Sequence, residues 1–165
     1  MDIKAIPNGA HVLVDANIFI YYLGGLSTEC YGFLQRVTRG EVQAHLTTTI
    51  VAEVLHRRMV AEALAKGLVS PSKILQKLKA HPEVIKQLTD YNSEVERLLQ
   101  LPIEVHEIIS SDLSASQALR TTYGLFVNDS INLACALRLG VNQVVSHDGD
   151  FNRVNGITVW EPEDV

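Results

Sequence analysis

The segment His11-Val12-Leu13-Val14-Asp15-Ala16-Asn17-Ile18 indicates the fold. Its aliphatic run is typical of a short buried strand, and the apolar pattern that follows Asp15 and stops at Gly24-Gly25 predicts a short helix. The same order of strand and helix recurs along the chain, and strands separated by helices favour a parallel sheet. We therefore predict one α/β domain over residues 1–165, with three layers (α/β/α) and a central, mostly parallel sheet.

Apolar periodicity, together with capping and turn residues, predicts the other elements. Strands are expected at 43–46, 103–109, 143–146 and 157–160. Helices are expected at 28–39, 48–67, 70–80, 82–101, 113–123 and 129–139.

Composition argues against several classes of protein. A chain of 165 residues, 47% of them apolar, can bury a full core without disulfides or structural metal. Its two cysteines, Cys30 and Cys135, lie far apart and form no CxxC or Cys/His spacing. Neither a signal-peptide segment nor an apolar stretch long enough to span a membrane is found. We expect a cytoplasmic protein that does not associate with membranes.

Five acidic residues fall near the ends of predicted strands or near the starts of predicted helices, where parallel sheets bind ligands. They are Asp15, Glu53, Asp129, Asp148 and Asp150. Taken singly, Asp129 could be only a helix cap, and Asp148-Gly149 only a turn. Taken together, two carboxylates 4 Å apart repel by about 4 kcal/mol at an effective dielectric near 20, so a cluster favours a bound cation. Hard oxygen ligands select Mg²⁺ or Mn²⁺.

The net charge agrees with such a localised cluster. The formal charge is −5, from 14 Lys and Arg against 19 Asp and Glu. This balance argues against nucleic-acid binding through a broad basic surface, but not against an enzyme that contacts phosphates through metal ions. The five candidate acids equal the whole acidic excess, so the rest of the chain is formally neutral.

Four sequence motifs, in this order, resemble the acidic motifs of PIN-domain ribonucleases. They are VLVDANI at 12–18, TIVAEVL at 49–55, YGL at 123–125 followed by NDSI at 128–131, and SHDGDF at 146–151. The resemblance covers roughly residues 11–160 and is weakest over 68–102. It implies a metal-dependent endoribonuclease, most often the toxin of a VapBC-type toxin–antitoxin pair.

The resemblance also implies roles for individual residues. Metal binding and catalysis fall to Asp15, Glu53, Asp129 and Asp148, with Asp150 as a fifth candidate ligand. Ser146 matches a Ser or Thr that orders the site, and Asn17 matches the small polar residue two positions after the first acid. The implied reaction is attack of metal-activated water on an RNA phosphodiester. The implied partners are RNA, an antitoxin protein and a second copy in a homodimer.

Other interpretations of the function remain open. The chain could be a PIN-like protein or RNA interaction module that does not cut, or a housekeeping nuclease that processes RNA. A phosphotransferase of another doubly wound fold is disfavoured, because Asn17 stands where a second acid would be needed and residues 143–150 contain no Lys.

Some basic residues also allow two interpretations. Arg57 and Arg58 follow Glu53 on one predicted helix, and could contact RNA phosphates or form the polar face of that helix. Five histidines share no ligand spacing along the chain, so we expect them to be structural. They are His11, His45, His56, His81 and His106.

Overall fold

A five-stranded sheet forms the centre of the computed structural model, which describes residues 1–165. Its strands are β1 (His11–Val14), β2 (Gln43–Thr47), β3 (Ile103–His106), β4 (Gln143–Val145) and β5 (Thr158–Trp160). Their order across the sheet is β3-β2-β1-β4-β5, and every neighbouring pair is parallel. The predicted α/β fold is therefore confirmed, with a sheet that is parallel throughout.

Eight α-helices connect and cover the strands. They are α1 (Ala16–Leu23), α2 (Thr28–Thr38), α3 (Thr48–Ala65), α4 (Ile74–Ala80), α5 (Pro82–Ile85), α6 (Asp90–Leu99), α7 (Ser110–Tyr123) and α8 (Val127–Arg138). Short 3-10 helices span Ile3–Ala5 and Gly149–Arg153. None of the eight is long and apolar enough to cross a membrane.

The central strands are buried on both faces. Val12, Leu13 and Val14 are consecutive in β1, and their side chains alternate between the two faces of the sheet, yet all three are buried. Val144 and Val145 of β4 are likewise buried. Parallel sheets have this burial pattern because helices cover both faces, which accounts for the continuous aliphatic runs in the sequence.

Helices α1 and α3 begin directly at the carboxyl ends of β1 and β2. Asp15 caps α1 by accepting a hydrogen bond from the backbone N–H of Ala16 at 2.7 Å. Thr47 caps α3 by accepting one from the N–H of Ile50 at 3.2 Å. Since these strands are parallel neighbours, the two caps lie at the same edge of the sheet.

The predicted helices of residues 70–101 are wrong in their boundaries. The first begins at Ile74 instead of Ser70, because Lys73 adopts a left-handed conformation with φ 52°. The second is divided into α5 and α6. The carboxylate of Glu62 in α3 accepts hydrogen bonds from the backbone N–H groups of Thr89 at 3.0 Å and Tyr91 at 2.9 Å, so the backbone at the start of α6 bonds to α3 instead of continuing the helix from α5.

Other boundaries also differ from the prediction. Strand β3 ends at His106 instead of residue 109, and α7 begins at Ser110, three residues before the predicted start. Helix α8 begins at Val127, so Asp129 lies inside its first turn instead of at the N-cap position. The interpretation of Asp129 as a helix cap is therefore wrong.

Candidate active site

Asp15 is the central acid of the site at the carboxyl ends of β1 and β4. Its Oδ2 atom accepts hydrogen bonds from Asn17 Nδ2 and Ser146 Oγ, each at 2.7 Å. All its hydrogen-bond donors are neutral groups, because the third is the N–H of Ala16. The carboxylate is thus oriented by the protein without being neutralised by a basic side chain.

The pKa of Asp15 is raised above its ordinary value. Burial is the largest cause, and the hydrogen bonds from Ser146 and Ala16 oppose it. The neighbouring carboxylates of Glu53 and Asp148 raise the pKa further. Negative charge at this position is therefore costly in the absence of a cation.

Asp129 lies in the first turn of α8 and is half-buried. Burial is again the largest cause of a shift that raises its pKa to about 7. Coulombic repulsion adds to the shift and comes from Asp15, Asp148, Glu53 and Asp150. The structure therefore brings all five acids selected from the sequence into one electrostatic environment.

Ser146, the fully buried residue after β4, joins the parts of this site. Its hydroxyl donates to Asp15 and accepts from Asn17 Nδ2 at 3.0 Å and from the backbone N–H of Asp148 at 2.9 Å. Asn17 also accepts, through Oδ1, from the N–H of His147 at 3.3 Å. Ser146 and Asn17 are therefore placed to position Asp15 and the turn that carries Asp148.

That turn carries two of the acids, of which one has a basic partner and the other does not. Asp148 caps the 3-10 helix by accepting from the N–H of Asp150 at 2.9 Å, and the buried side chain of Phe151 anchors the turn in the core. Asp150 forms an ion pair with Arg153, whereas no basic side chain pairs with Asp148. Asp150 is accordingly the acid of this turn whose charge is already offset.

The two arginines that follow Glu53 have different surroundings. Arg57 Nη1 lies 3.6 Å from Glu53 Oε1, and both side chains are partly exposed. Arg58 donates to the Glu94 carboxylate through Nε at 2.8 Å and Nη2 at 3.0 Å, which ties α3 to α6. Because Arg58 is occupied by Glu94, we interpret it as part of the polar face of α3 and not as an RNA contact. Arg57 lies beside Glu53 and stays a candidate for an RNA contact.

Sequence reasoning missed a polar contact that supports the site. Asn132, one turn after Asp129 in α8, accepts through Oδ1 from Thr47 Oγ1 at 2.6 Å and from Thr49 Oγ1. Asn132 is buried, so the contact holds the start of α3 against α8. These two helices carry Glu53 and Asp129. The three-residue spacing between Asp129 and Asn132 on one helix face was the available signal.

The donor set of the cluster suits a hard divalent cation. It is made of carboxylate oxygens, which are the preferred ligands of Mg²⁺ and Mn²⁺. Burial and mutual repulsion raise the pKa of both Asp15 and Asp129, and a cation would relieve that repulsion. The nearby basic side chains, Arg57 and Arg153, pair only with Glu53 and Asp150.

Comparison with known proteins agrees with this architecture. Residues 12–157 match the family model of the PIN domain. The chain is 25% identical over 151 residues to Ribonuclease VapC2 of Methanocaldococcus jannaschii, a match that covers 91% of this chain and 93% of the relative.

Two solved structures share the fold. One is VapBC2 from Rickettsia felis bound to a DNA fragment from their promoter, with a TM-score of 0.63 and 15% identity. The other is a toxin–antitoxin complex from Klebsiella pneumoniae, with a TM-score of 0.59 and 20% identity. Each match covers 93% of this chain and 99% of the other. With the family model matched over most of its length and the carboxylates gathered at one edge of a parallel sheet, the chain belongs to the PIN domain family.

Proposed function

We propose that this protein is a metal-dependent endoribonuclease and the toxin of a type II toxin–antitoxin pair. The observation that carries the proposal is the carboxylate cluster, in which burial and four neighbouring acids raise the pKa of Asp129 to about 7. A binding module would have no need to keep these carboxylates together, because their repulsion destabilises the fold and only Glu53 and Asp150 have a basic partner. The relative named as a ribonuclease supports the same activity.

In this proposal, the residues divide into ligands and positioning groups. Mg²⁺ or Mn²⁺ would be held by Asp15, Glu53, Asp129 and Asp148, with Asp150 as a fifth candidate. The bound ion would supply Lewis-acid stabilisation of the phosphodiester and lower the pKa of a nearby water. Ser146 and Asn17 hold the Asp15 carboxylate in one orientation through their hydrogen bonds. Arg57 contacts an RNA phosphate beside Glu53.

The proposed partners are RNA, an antitoxin and a second copy of the chain, all met in the cytoplasm. A groove between α1, α2 and α6 is lined mainly by apolar and aromatic side chains, with two charged residues of α6 among them: Tyr22, Leu23, Tyr31, Glu94, Arg97, Leu98 and Leu101. Such a groove suits the apolar face of a partner helix. The antitoxin complexes among the structural neighbours support this assignment. We propose that residues 1–165 act together as one nuclease unit.

Cleavage of RNA by the purified full chain tests the enzymatic part. We expect cleavage that requires Mg²⁺ or Mn²⁺, stops in excess chelator, and is lost in Asp15→Asn and Asp129→Asn. Glu83→Gln is the matched control, because Glu83 is an exposed carboxylate that pairs only with His81. Equal cleavage by the parent and Asp129→Asn would overturn the catalytic assignment.

Co-expression tests the toxin assignment separately. A short protein encoded beside this chain should form a stable complex with it and suppress both its cleavage of RNA and its toxicity. Active cleavage that no neighbouring gene product inhibits would instead favour a housekeeping nuclease.

A further inference from the structure

Three histidines form a continuous ladder across neighbouring strands, outside the carboxylate cluster. His11 Nδ1 lies 3.0 Å from His45 Nε2, and His45 Nδ1 lies 2.9 Å from His106 Nε2. Each pair of rings is stacked, with centroids 5.2 Å apart. The lack of ligand spacing along the chain gave no sign of this arrangement, because His45 and His106 lie far apart in sequence but meet in the sheet.

Strand register explains how these side chains meet. In the β2–β3 pair, His45 is opposite Glu104 and Thr47 is opposite His106. Residues two apart on a strand share a face, so His45, Glu104 and His106 all project to the same side of the sheet. Because Thr47 on that face bonds to Asn132 of α8, this is the side of the sheet that α8 covers.

We propose that His45, Glu104 and His106 form a second metal site, for a borderline transition ion such as Zn²⁺. The three candidate ligand atoms, His45 Nδ1, His106 Nε2 and Glu104 Oε2, are separated by 2.9, 3.5 and 3.7 Å. A point equidistant from atoms so spaced lies about 2 Å from each, which is the usual distance from zinc to imidazole nitrogen and carboxylate oxygen. Two imidazoles and one carboxylate select zinc-like ions over Mg²⁺.

His11 provides the hydrogen-bond partner that such a site needs. When the proton of neutral His45 is on Nε2, it is donated to His11 Nδ1, and the lone pair of His45 Nδ1 is left free for an ion. Burial lowers the pKa of His45, the charges of His106 and His11 lower it further, and Glu104 alone opposes them. This lowered pKa favours neutral His45, the form that binds metal.

The site is open to solvent on one side. His45 is buried, whereas the side chains of His106 and Glu104 are 21% and 61% exposed. Both belong to β3, the edge strand of the sheet. An ion can therefore reach the site without local unfolding, and its binding would tie the edge strand to β2.

Zinc binding to the chelator-treated full chain tests this proposal. We expect one tight Zn²⁺ site by calorimetry, with affinity at least tenfold lower in His106→Ala and in Glu104→Gln. His11→Ala removes the hydrogen-bond partner of His45 and should weaken Zn²⁺ binding by about 10–100-fold. The matched control is His81→Ala, which removes an exposed histidine that pairs with Glu83. The proposal is overturned if His106→Ala and the parent bind Zn²⁺ with equal affinity, or if His81→Ala weakens binding as much as His106→Ala does.

Further measurements distinguish Zn²⁺ binding at this site from Zn²⁺ binding at the carboxylate cluster. Asp129→Asn should keep the tight Zn²⁺ site, and Co²⁺ should give a ligand-field absorption band in the parent that is absent in Glu104→Gln. Zn²⁺ should also raise the melting temperature of the parent but not that of Glu104→Gln, whose exposed substitution leaves folding intact. Loss of the tight site in Asp129→Asn would assign the bound zinc to the carboxylate cluster and overturn the proposal.

Discussion

Asp112 and Asp129 lie in the first turns of neighbouring helices, α7 and α8, but their surroundings are opposite. The Asp112 side chain is only 1% exposed, and Arg138 donates to it through Nε at 2.7 Å and Nη2 at 3.0 Å. The Arg138 guanidinium is the main reason that the pKa of Asp112 is lowered. Asp129 is half-buried and has no basic partner, and burial together with the neighbouring acids raises its pKa to about 7.

The difference shows that a basic partner decides whether a carboxylate taken out of water keeps a low pKa. A buried charge that is paired and hydrogen-bonded holds elements together, as Asp112 holds α7 to α8. A carboxylate that faces other carboxylates weakens the fold and needs an external cation. The same contrast separates Glu62, which bonds to Lys66, from Asp15, which bonds only to neutral donors.

Replacing Asp129 with Asn should have the largest effect. It should lower the activity without lowering the stability of the fold. We expect RNA cleavage to fall by at least about 100-fold, because a metal ligand is lost. The melting temperature should stay unchanged or rise, since the repulsion among the acids is relieved. Cleavage rates in Mn²⁺ and thermal melts measure the two effects. A loss of stability without a loss of cleavage would show that Asp129 has the structural role here assigned to Asp112.

Replacing Asp112 with Asn should affect stability instead. Arg138 would lose its charged partner, and we expect the free energy of unfolding to fall by about 3 kcal/mol. Urea denaturation of the parent and the variant measures this difference. RNA cleavage well below the melting temperature should be unchanged. A fall of less than about 1 kcal/mol would show that the ion pair adds little to stability.

Acid should weaken the contact that Glu62 makes with the start of α6. Burial opposes ionisation of Glu62, but hydrogen bonds from Lys66 and from the N–H groups of Tyr91 and Thr89 hold its pKa at about 2. Since this folded-state pKa is below the unfolded value of about 4.3, the contribution is complete above that pH and is lost as the pH falls toward 2. We expect about 3 kcal/mol, measured as the difference in the pH dependence of unfolding between the parent and Glu62→Gln. Identical pH profiles would contradict this assignment.

Removing the Ser146 hydroxyl should have the smallest effect of the four. Ser146→Ala deletes one hydrogen bond to Asp15 and one acceptor for the N–H of Asp148, but keeps every acid. We expect an approximately tenfold loss of Mn²⁺ affinity and of cleavage, with Ser146→Thr restoring part of both. Ser114→Ala, at an exposed hydroxyl in α7, is the control and should match the parent. A Ser146→Ala variant with parental Mn²⁺ affinity would show that the hydroxyl does not position Asp15.

The sequence predicted the strands well because each carries its own signal. Val12-Leu13-Val14 and Val144-Val145 are aliphatic runs that fit a sheet covered on both faces, and the observed strands include them. The acids that follow these strands could be selected for the same reason, since the carboxyl ends of parallel strands meet at one edge. For these strands and the acids that follow them, the local sequence pattern and the sheet topology lead to the same prediction.

The sequence failed where distant residues determine the local structure. The division between α5 and α6 depends on Glu62, more than 20 residues earlier, whose carboxylate binds the backbone N–H groups of Thr89 and Tyr91. The pairing of Arg58 with Glu94 and of Asp112 with Arg138 is equally non-local. No periodicity within a segment indicates such contacts.

By itself, therefore, the amino-acid sequence determined the parallel α/β fold and which acids gather at its edge, because hydrophobic periodicity and the strand-to-helix order are local properties. Only the tertiary structure decided which charges are paired and which are not, because the fold sets both the burial of a carboxylate and the neighbours that shift its pKa. It also brought His45 and His106 together through the register of β2 and β3, although 61 positions separate them in the chain.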